Sequence, residues 1–247
     1  MIEIRNREDR VLYTDHDADD VRDAVASAIE RGVDLSGARL ANIDLHMLDL
    51  ADAVLTDAIL DRANLAGANL EDADLSRASL ASASLRGANL EDASLGGTDL
   101  TNASFDGANL ERADLRDARG AGASFARANL DRTCFENFRG ERAVFSRSNL
   151  ERSNLRHARL AQADLTAANL ERCDFRGAEL AGATLTAANL ERCDLRRADL
   201  TGANLREANL DKCEVDEAIF DGADTTSANL YNLRGTPASR PASNPYR

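Results

Sequence analysis

The side chains best suited to catalysis or metal binding are few and widely separated. Cys173, Cys193 and Cys213 recur at every twentieth position, and the three histidines are isolated in sequence. A zinc site needs four converging ligands, so we expect these stacked cysteines to face inward as small hydrophobic residues. Cys134 falls on an outward position and is the only thiol that we expect to react. Without a Ser-His-Asp order, a phosphate-binding glycine loop or an HExxH motif, the sequence predicts no enzyme, no metal site and no cofactor.

Carboxylates recur at the same spacing and are the candidates for binding a partner. Eight acids follow regularly spaced leucines, and two of them precede a second acid; the candidate residues are Glu71, Asp72, Glu91, Asp92, Glu111, Asp131, Glu151, Glu171, Glu191 and Asp211. From Arg112 to Lys212 a base follows each acid. Two interpretations stay open. The column is a solvated face of compensating ion pairs, each worth about 0–1 kcal/mol, or it is an acidic surface that binds a partner.

A second charged column has the opposite sign. Arg119, Arg139 and Arg159 share this spacing and form a candidate secondary patch. Glu136 and Glu141 lie close enough in sequence to neutralise part of it. The patch is therefore either a set of structural ion pairs or a contact surface for an acidic partner.

The spacing of these side chains follows from a repeat of five residues. From Leu35 to Leu230, thirty-six of the forty positions that are multiples of five hold Leu or Phe, and twenty-nine have Ala two residues earlier. Side chains at every fifth position would be distributed around all sides of a helix and would alternate between the two faces of a strand. It predicts a coil of short straight sides, with a turn at each corner.

A second, longer period sets the number of sides. The segment LTAANLERCDFRGAEL from Leu165 recurs as LTAANLERCDLRRADL from Leu185, which is four units of five further along the chain. Four units therefore make one coil, and the repeats predict about ten coils. At the spacing between neighbouring strands, the rod would be ~48 Å long.

Representative units are Ala63-Asn64-Leu65, Ala68-Asn69-Leu70 and Ala113-Asp114-Leu115. Their A(D/N)Lxx pattern resembles the pentapeptide-repeat family over roughly residues 33–233. The resemblance implies an all-β fold, a right-handed quadrilateral parallel β-helix, with no enzymatic activity. The handedness comes from the family and not from the spacing.

Two glycines interrupt the leucine columns. Gly120 and Gly140 remove two inward side chains from adjacent coils of one face, and Phe125, Phe135, Phe138 and Phe145 lie nearby in sequence. Because cores conserve volume, the aromatic rings could refill the gap. A kink or a ligand-binding notch is the alternative.

The ends differ from the repeats and divide the chain into three parts. Residues 1–32 predict an N-terminal cap with a short hairpin and a helix at about 17–31, since apolar residues there recur at helical spacing. Residues 33–233 form the β-helix. Residues 234–247 hold all three prolines and predict a flexible tail. No C-terminal helix resembles the family's dimerisation module, so the sequence leaves a monomer or an end-to-end dimer open.

The charge balance excludes some partners. The chain carries 43 acids and 30 bases, net −13, which disfavours direct binding to nucleic acids or anionic membranes. Residues 33–132 carry net −8 and residues 133–232 net −4. The first half therefore holds one net charge per ~3 Å, compared with one per ~1.7 Å in duplex DNA, and we expect a partner to bind there. A charged start without an apolar segment predicts a cytoplasmic protein.

The family resemblance implies one specific function. The chain would be a DNA mimic that binds a type II topoisomerase such as gyrase, with carboxylates in place of phosphates, and inhibits it or protects it from quinolones. The alternative is a structural or scaffold module that binds another protein and has no topoisomerase role. Because the five-residue phase never slips, no loop is expected to project from the rod.

Overall fold

Parallel bridges between equivalent residues of successive coils run along most of the chain. The computed structural model describes residues 1–239, and these bridges extend from the pair Arg39 and Ile59 to the pair Glu214 and Arg234. Each coil is therefore four five-residue units long and hydrogen-bonds to the next coil on its four sides. The predicted right-handed quadrilateral β-helix is confirmed.

Each corner of a coil is a tight turn. After Leu70, the Ala73 N–H donates to the Leu70 carbonyl at 3.1 Å, and Asp72 adopts a φ of 57°. This hydrogen bond with a positive φ at the third residue is the pattern of a type II turn. A bend in every unit directs Leu70 and Ala73 into the core, where both are fully buried. Because every unit contains such a turn, a five-residue repeat keeps all its leucines in the core, which neither a helix nor a strand would do.

Phe138 fills the space left by the two glycines. A Cβ atom on Gly120 would lie 2.8 Å from Phe138 Cε2, and one on Gly140 would lie 2.8 Å from Phe138 Cδ1. Phe138 is itself fully buried and packs edge-on against Phe135 at 5.1 Å between ring centroids. A third ring, Phe125, lies between two stacked neighbours in the same core. Aromatic repacking therefore replaces the missing leucines.

The N-terminal cap contains the three regular elements of residues 1–32. Strands β1 (Ile2–Arg5) and β2 (Val11–Asp15) pair antiparallel, and helix α1 (Val21–Glu30) follows. The helix begins four residues later than predicted, because the Asp20 side chain accepts the N–H of Asp23 and caps it there. The buried face of the helix packs on the same core as the coils.

The C-terminal boundary predicted at residue 233 is too early. Arg234 still pairs with Glu214, the Ala238 N–H donates to the Ala218 carbonyl at 2.8 Å, and the Ser239 hydroxyl accepts from Phe220 N–H. Residues 234–239 therefore hydrogen-bond to the last coil, and the flexibility expected of them stays a prediction. Residues 240–247, where the same prediction also falls, lie outside the described part of the chain.

Candidate protein-binding surface

A ladder of asparagines fixes the corner that carries the acidic column. This acidic corner comprises the two turn residues that follow each leucine of one column, from Leu50 to Leu210. Beneath it, from Asn89 onward, each asparagine amide donates to the asparagine of the preceding coil, as Asn89 does to Asn69 at 3.1 Å. The Asn89 amide also donates to Glu71 Oε2 at 3.2 Å. The carboxylates of successive coils are thus held one coil apart along the rod.

Basic side chains bridge this acidic corner from Glu91 onward. Arg112 contacts Glu91 at 2.5 Å, Asp92 at 2.6 Å and Glu111 at 2.6 Å. Its hydrogen bond keeps the pKa of Asp92 below the usual range for a carboxyl group. In the next five coils each base lies within 4 Å of the acid beside it, and these bases are Arg132, Arg152, Arg172, Arg192 and Lys212. From Glu91 to Asp211 the column is therefore an ion-pair ladder.

Three carboxylates at the N-terminal end of the acidic corner have no such partner. Among residues 1–239, no cationic side chain lies within 4.0 Å of Asp52, Glu71 or Asp72. All three are exposed, and we call them the open carboxylates. Sequence reasoning singled out Glu71 and Asp72 but missed Asp52. The available signal was its position one coil before Asp72, in the same column.

The charge along the rod changes sign twice. Residues 33–111 hold fourteen acids and four arginines, net −10; residues 112–159 hold six acids and eleven arginines, net +5; residues 160–232 return to net −7. The two halves 33–132 and 133–232 each contain part of this positive segment, so neither half has a net positive charge. The first segment spans about four coils, so it carries one net negative charge per ~1.9 Å, close to the ~1.7 Å of duplex DNA. The net charges of the two halves therefore understate the negative charge of the first four coils.

The column of Arg119, Arg139 and Arg159 forms as predicted by spacing, with bridges between successive members. Its ends are paired, because Arg119 lies 3.4 Å from Asp99 and Arg159 lies 3.7 Å from Glu179. Arg139, between them, has no carboxylate within 4.0 Å among the residues described. The two ends of this column are thus structural ion pairs, whereas a contact surface for an acidic partner stays a prediction.

Three of the four cysteines are buried and the fourth is half-buried. Cys173, Cys193 and Cys213 are buried, and each thiol donates to a leucine carbonyl at 2.9 Å. Burial raises the pKa of Cys193 far above its ordinary value. Cys134 is the least buried of the four, but desolvation raises the pKa of its thiol as well. A raised pKa lowers the fraction of thiolate, which disfavours reaction at Cys134.

The described residues contain neither a cluster of metal-binding side chains nor a membrane-spanning helix. Within residues 1–239, no group of three or more His, Cys, Asp or Glu side chains is arranged to hold a metal ion. In the same range, no helix combines the length and apolar character needed to cross a membrane.

Comparison with known proteins identifies the repeat. The family model described as pentapeptide repeats matches in eight overlapping copies between residues 49 and 232. No curated protein matches the chain.

Several solved structures resemble the fold. HetL, a pentapeptide-repeat protein involved in heterocyst differentiation regulation in the cyanobacterium Nostoc sp. strain PCC 7120, is 32% identical, with 85% of this chain and 93% of that chain covered and a TM-score of 0.43. Rfr23 from the cyanobacterium Cyanothece 51142 is 34% identical over 40% of this chain and 60% of that one, with a TM-score of 0.29. QnrB1, a plasmid-mediated fluoroquinolone resistance protein, is 16% identical over 78% and 90%, with a TM-score of 0.32.

Proposed function

We propose that the chain, which belongs to the pentapeptide-repeat family, is a non-enzymatic cytoplasmic rod whose first four coils bind the DNA-binding surface of a type II topoisomerase. The observation that carries this proposal is the net charge of −10 over residues 33–111. Over this length the linear charge density approaches that of duplex DNA. The surface is preformed, so little conformational entropy is lost when it docks.

The open carboxylates are the strongest contacts that this surface can offer. Asp52, Glu71 and Asp72 are free of cationic neighbours within the described residues, so lysines and arginines of a partner can pair with them directly. In contrast, Glu91, Asp92 and Glu111 already contact Arg112. A partner would have to displace that arginine to use them. Arg112 therefore marks where the DNA-like surface ends.

Replacing two of the open carboxylates tests this proposal. Glu71→Gln/Asp72→Asn should weaken inhibition or quinolone protection of purified gyrase in a supercoiling assay by about tenfold, since two charge pairs are lost. It should also flatten the dependence on salt. The matched control is Glu207→Gln/Asp221→Asn, which removes two exposed carboxylates without ion pairs from the far coils.

The control should behave like the unaltered protein. If the unaltered rod neither inhibits nor protects gyrase, and gyrase does not bind it at low salt, the topoisomerase proposal fails. Equal losses in the two variants would indicate that net charge alone matters and that the first coils are not the binding surface.

A scaffold module for a different protein is the second candidate. It is favoured by the ion-pair ladder, because Arg132 to Lys212 neutralise the acidic column in the coils beyond Arg112. The two candidates differ in the same assay. A scaffold would leave supercoiling unchanged at every rod concentration, whereas a DNA mimic would compete with DNA for the enzyme.

A further inference from the structure

Five arginines in the middle of the rod have no ion-pair partner. No carboxylate lies within 4.0 Å of them among residues 1–239, and they are Arg127, Arg139, Arg142, Arg147 and Arg156. We call this group the arginine collar. It spans about one and a half coils, which is ~7 Å along the rod. Its members occupy three of the four corners and one of the sides between them.

Unpaired bases are exceptional in the neighbouring coils. In residues 160–232 all seven bases lie within 4.0 Å of a carboxylate, and they are Arg172, Arg176, Arg192, Arg196, Arg197, Arg206 and Lys212. Four collar members have only arginines or neutral residues one coil away in their columns, and the fifth, Arg156, lies one coil after Glu136 without an ion pair to it. Arg139 pairs in register with Arg119 and Arg159, and Arg127 lies one coil from Arg147. Positive charge is therefore concentrated in these coils.

A groove passes along one edge of the collar. Arg139 and Arg159 line a groove of about 340 Å³ together with Asp117 and Glu179, and Arg156 lines an adjoining groove of about 690 Å³; both contain His157. The Nε atom of Arg156 is buried and has no hydrogen-bond partner among the residues described. A buried donor without an acceptor is unfavourable.

We propose that the arginine collar is a docking surface for a short acidic segment of a partner protein. Guanidinium groups bind carboxylates through paired, charge-assisted hydrogen bonds. The flanking segments carry net charges of −10 and −7, so they repel any anionic ligand that is wider than the collar. Duplex DNA, whose major groove alone is about 12 Å wide, is wider than the ~7 Å collar and would overlie these negative coils. This inference does not depend on the identity of the partner bound by the first four coils.

Fluorescence anisotropy with a labelled deca-glutamate peptide tests the proposal on the full chain at low salt. Arg139→Gln/Arg142→Gln/Arg147→Gln should weaken binding of the peptide at least about tenfold, because three charge-assisted contacts are lost. The matched control is Arg172→Gln/Arg192→Gln/Arg206→Gln, which removes the same charge from arginines that are already paired and that line neither groove. We expect the control to change binding less than about threefold.

Three outcomes would contradict the proposal that the collar binds an acidic segment. No binding of the peptide to the unaltered chain overturns the proposal, and so does an equal loss in the control variant. A short DNA duplex that binds as tightly as the peptide would also overturn it, because the flanking coils should repel DNA. All three substituted collar residues are exposed, and a thermal unfolding curve of each variant verifies that the fold is retained.

Discussion

At the third residue of each corner turn the backbone is left-handed, whatever the side chain. Ala167 and Ala187 have φ values of 56°, and Gly202, at a different corner of the coil, has 65°. A side chain with a Cβ atom is strained in this region by about 1–2 kcal/mol, whereas glycine is not. Most corners nevertheless carry charged residues or asparagine. At Arg112, side-chain contacts with the preceding coil offset this local backbone preference.

Exchanging alanine and glycine at two such positions should change stability in opposite directions. Ala187→Gly should raise the free energy of unfolding by about 0.5–1 kcal/mol, because relief of strain exceeds the added entropy of the unfolded chain. Gly202→Ala should lower it by a similar amount, since no atom lies within 4 Å of the new Cβ and only the φ angle matters. Guanidinium denaturation measures both. Changes of the same sign would contradict this account.

At the scale of one side of the coil, a larger side chain at one core position can compensate for a smaller one at a neighbouring position. Phe138 occupies a slot that holds alanine in most units, yet its ring fills the places of two leucines. The sequence predicted that aromatic residues refill this gap. It could not predict that one ring serves both glycines, because that depends on the rotamer which its neighbours Phe125 and Phe135 permit.

The effect of a leucine at Gly140 should therefore depend on residue 138. In the unaltered chain, Gly140→Leu should destabilise the rod by about 1–3 kcal/mol, because the new side chain collides with Phe138. Phe138→Ala alone should cost about 3–5 kcal/mol through the cavity that it leaves.

Combining the two substitutions restores the usual Ala-x-Leu unit, so in the Phe138→Ala background Gly140→Leu should be stabilising. A double-mutant cycle from denaturation curves measures this coupling. Additive effects would mean that the ring does not occupy the space of the missing leucine.

At the scale of the whole rod, the two periods of the sequence predict the four-sided coil, but its handedness came from the family resemblance and the state of its surface could not be predicted from either. Leucines at every fifth position define the core, and equivalent positions of successive coils define the columns. That Arg112 reaches three carboxylates depends on side-chain conformation, which no spacing reveals. The end of the rod was missed because hydrogen bonds from Ala238 and Ser239 lie beyond the last repeat unit. Local contacts, and not periodicity, set these features.

If one coil of four units is the structural unit, a rod that lacks one complete coil should still fold. Deleting residues 166–185 joins Leu165 to the segment TAANLERCD from Thr186, which is identical to the start of the segment removed. The Asn149 and Glu151 contacts across the new junction can then form with Asn189 and Arg192 in place of their present partners. The shortened rod retains the open carboxylates and the arginine collar.

We expect this deletion to unfold cooperatively and to keep its effect on gyrase, because nearest-neighbour contacts between coils are preserved. Deleting residues 166–186 removes one residue more and shifts every later leucine out of the core. That variant should lose the coils beyond the junction, which limited proteolysis would detect as digestion after Leu165. Equal protease resistance of the two variants would mean that the five-residue phase does not determine which side chains are buried. An unfolded 166–185 deletion would mean that stability depends on contacts beyond adjacent coils.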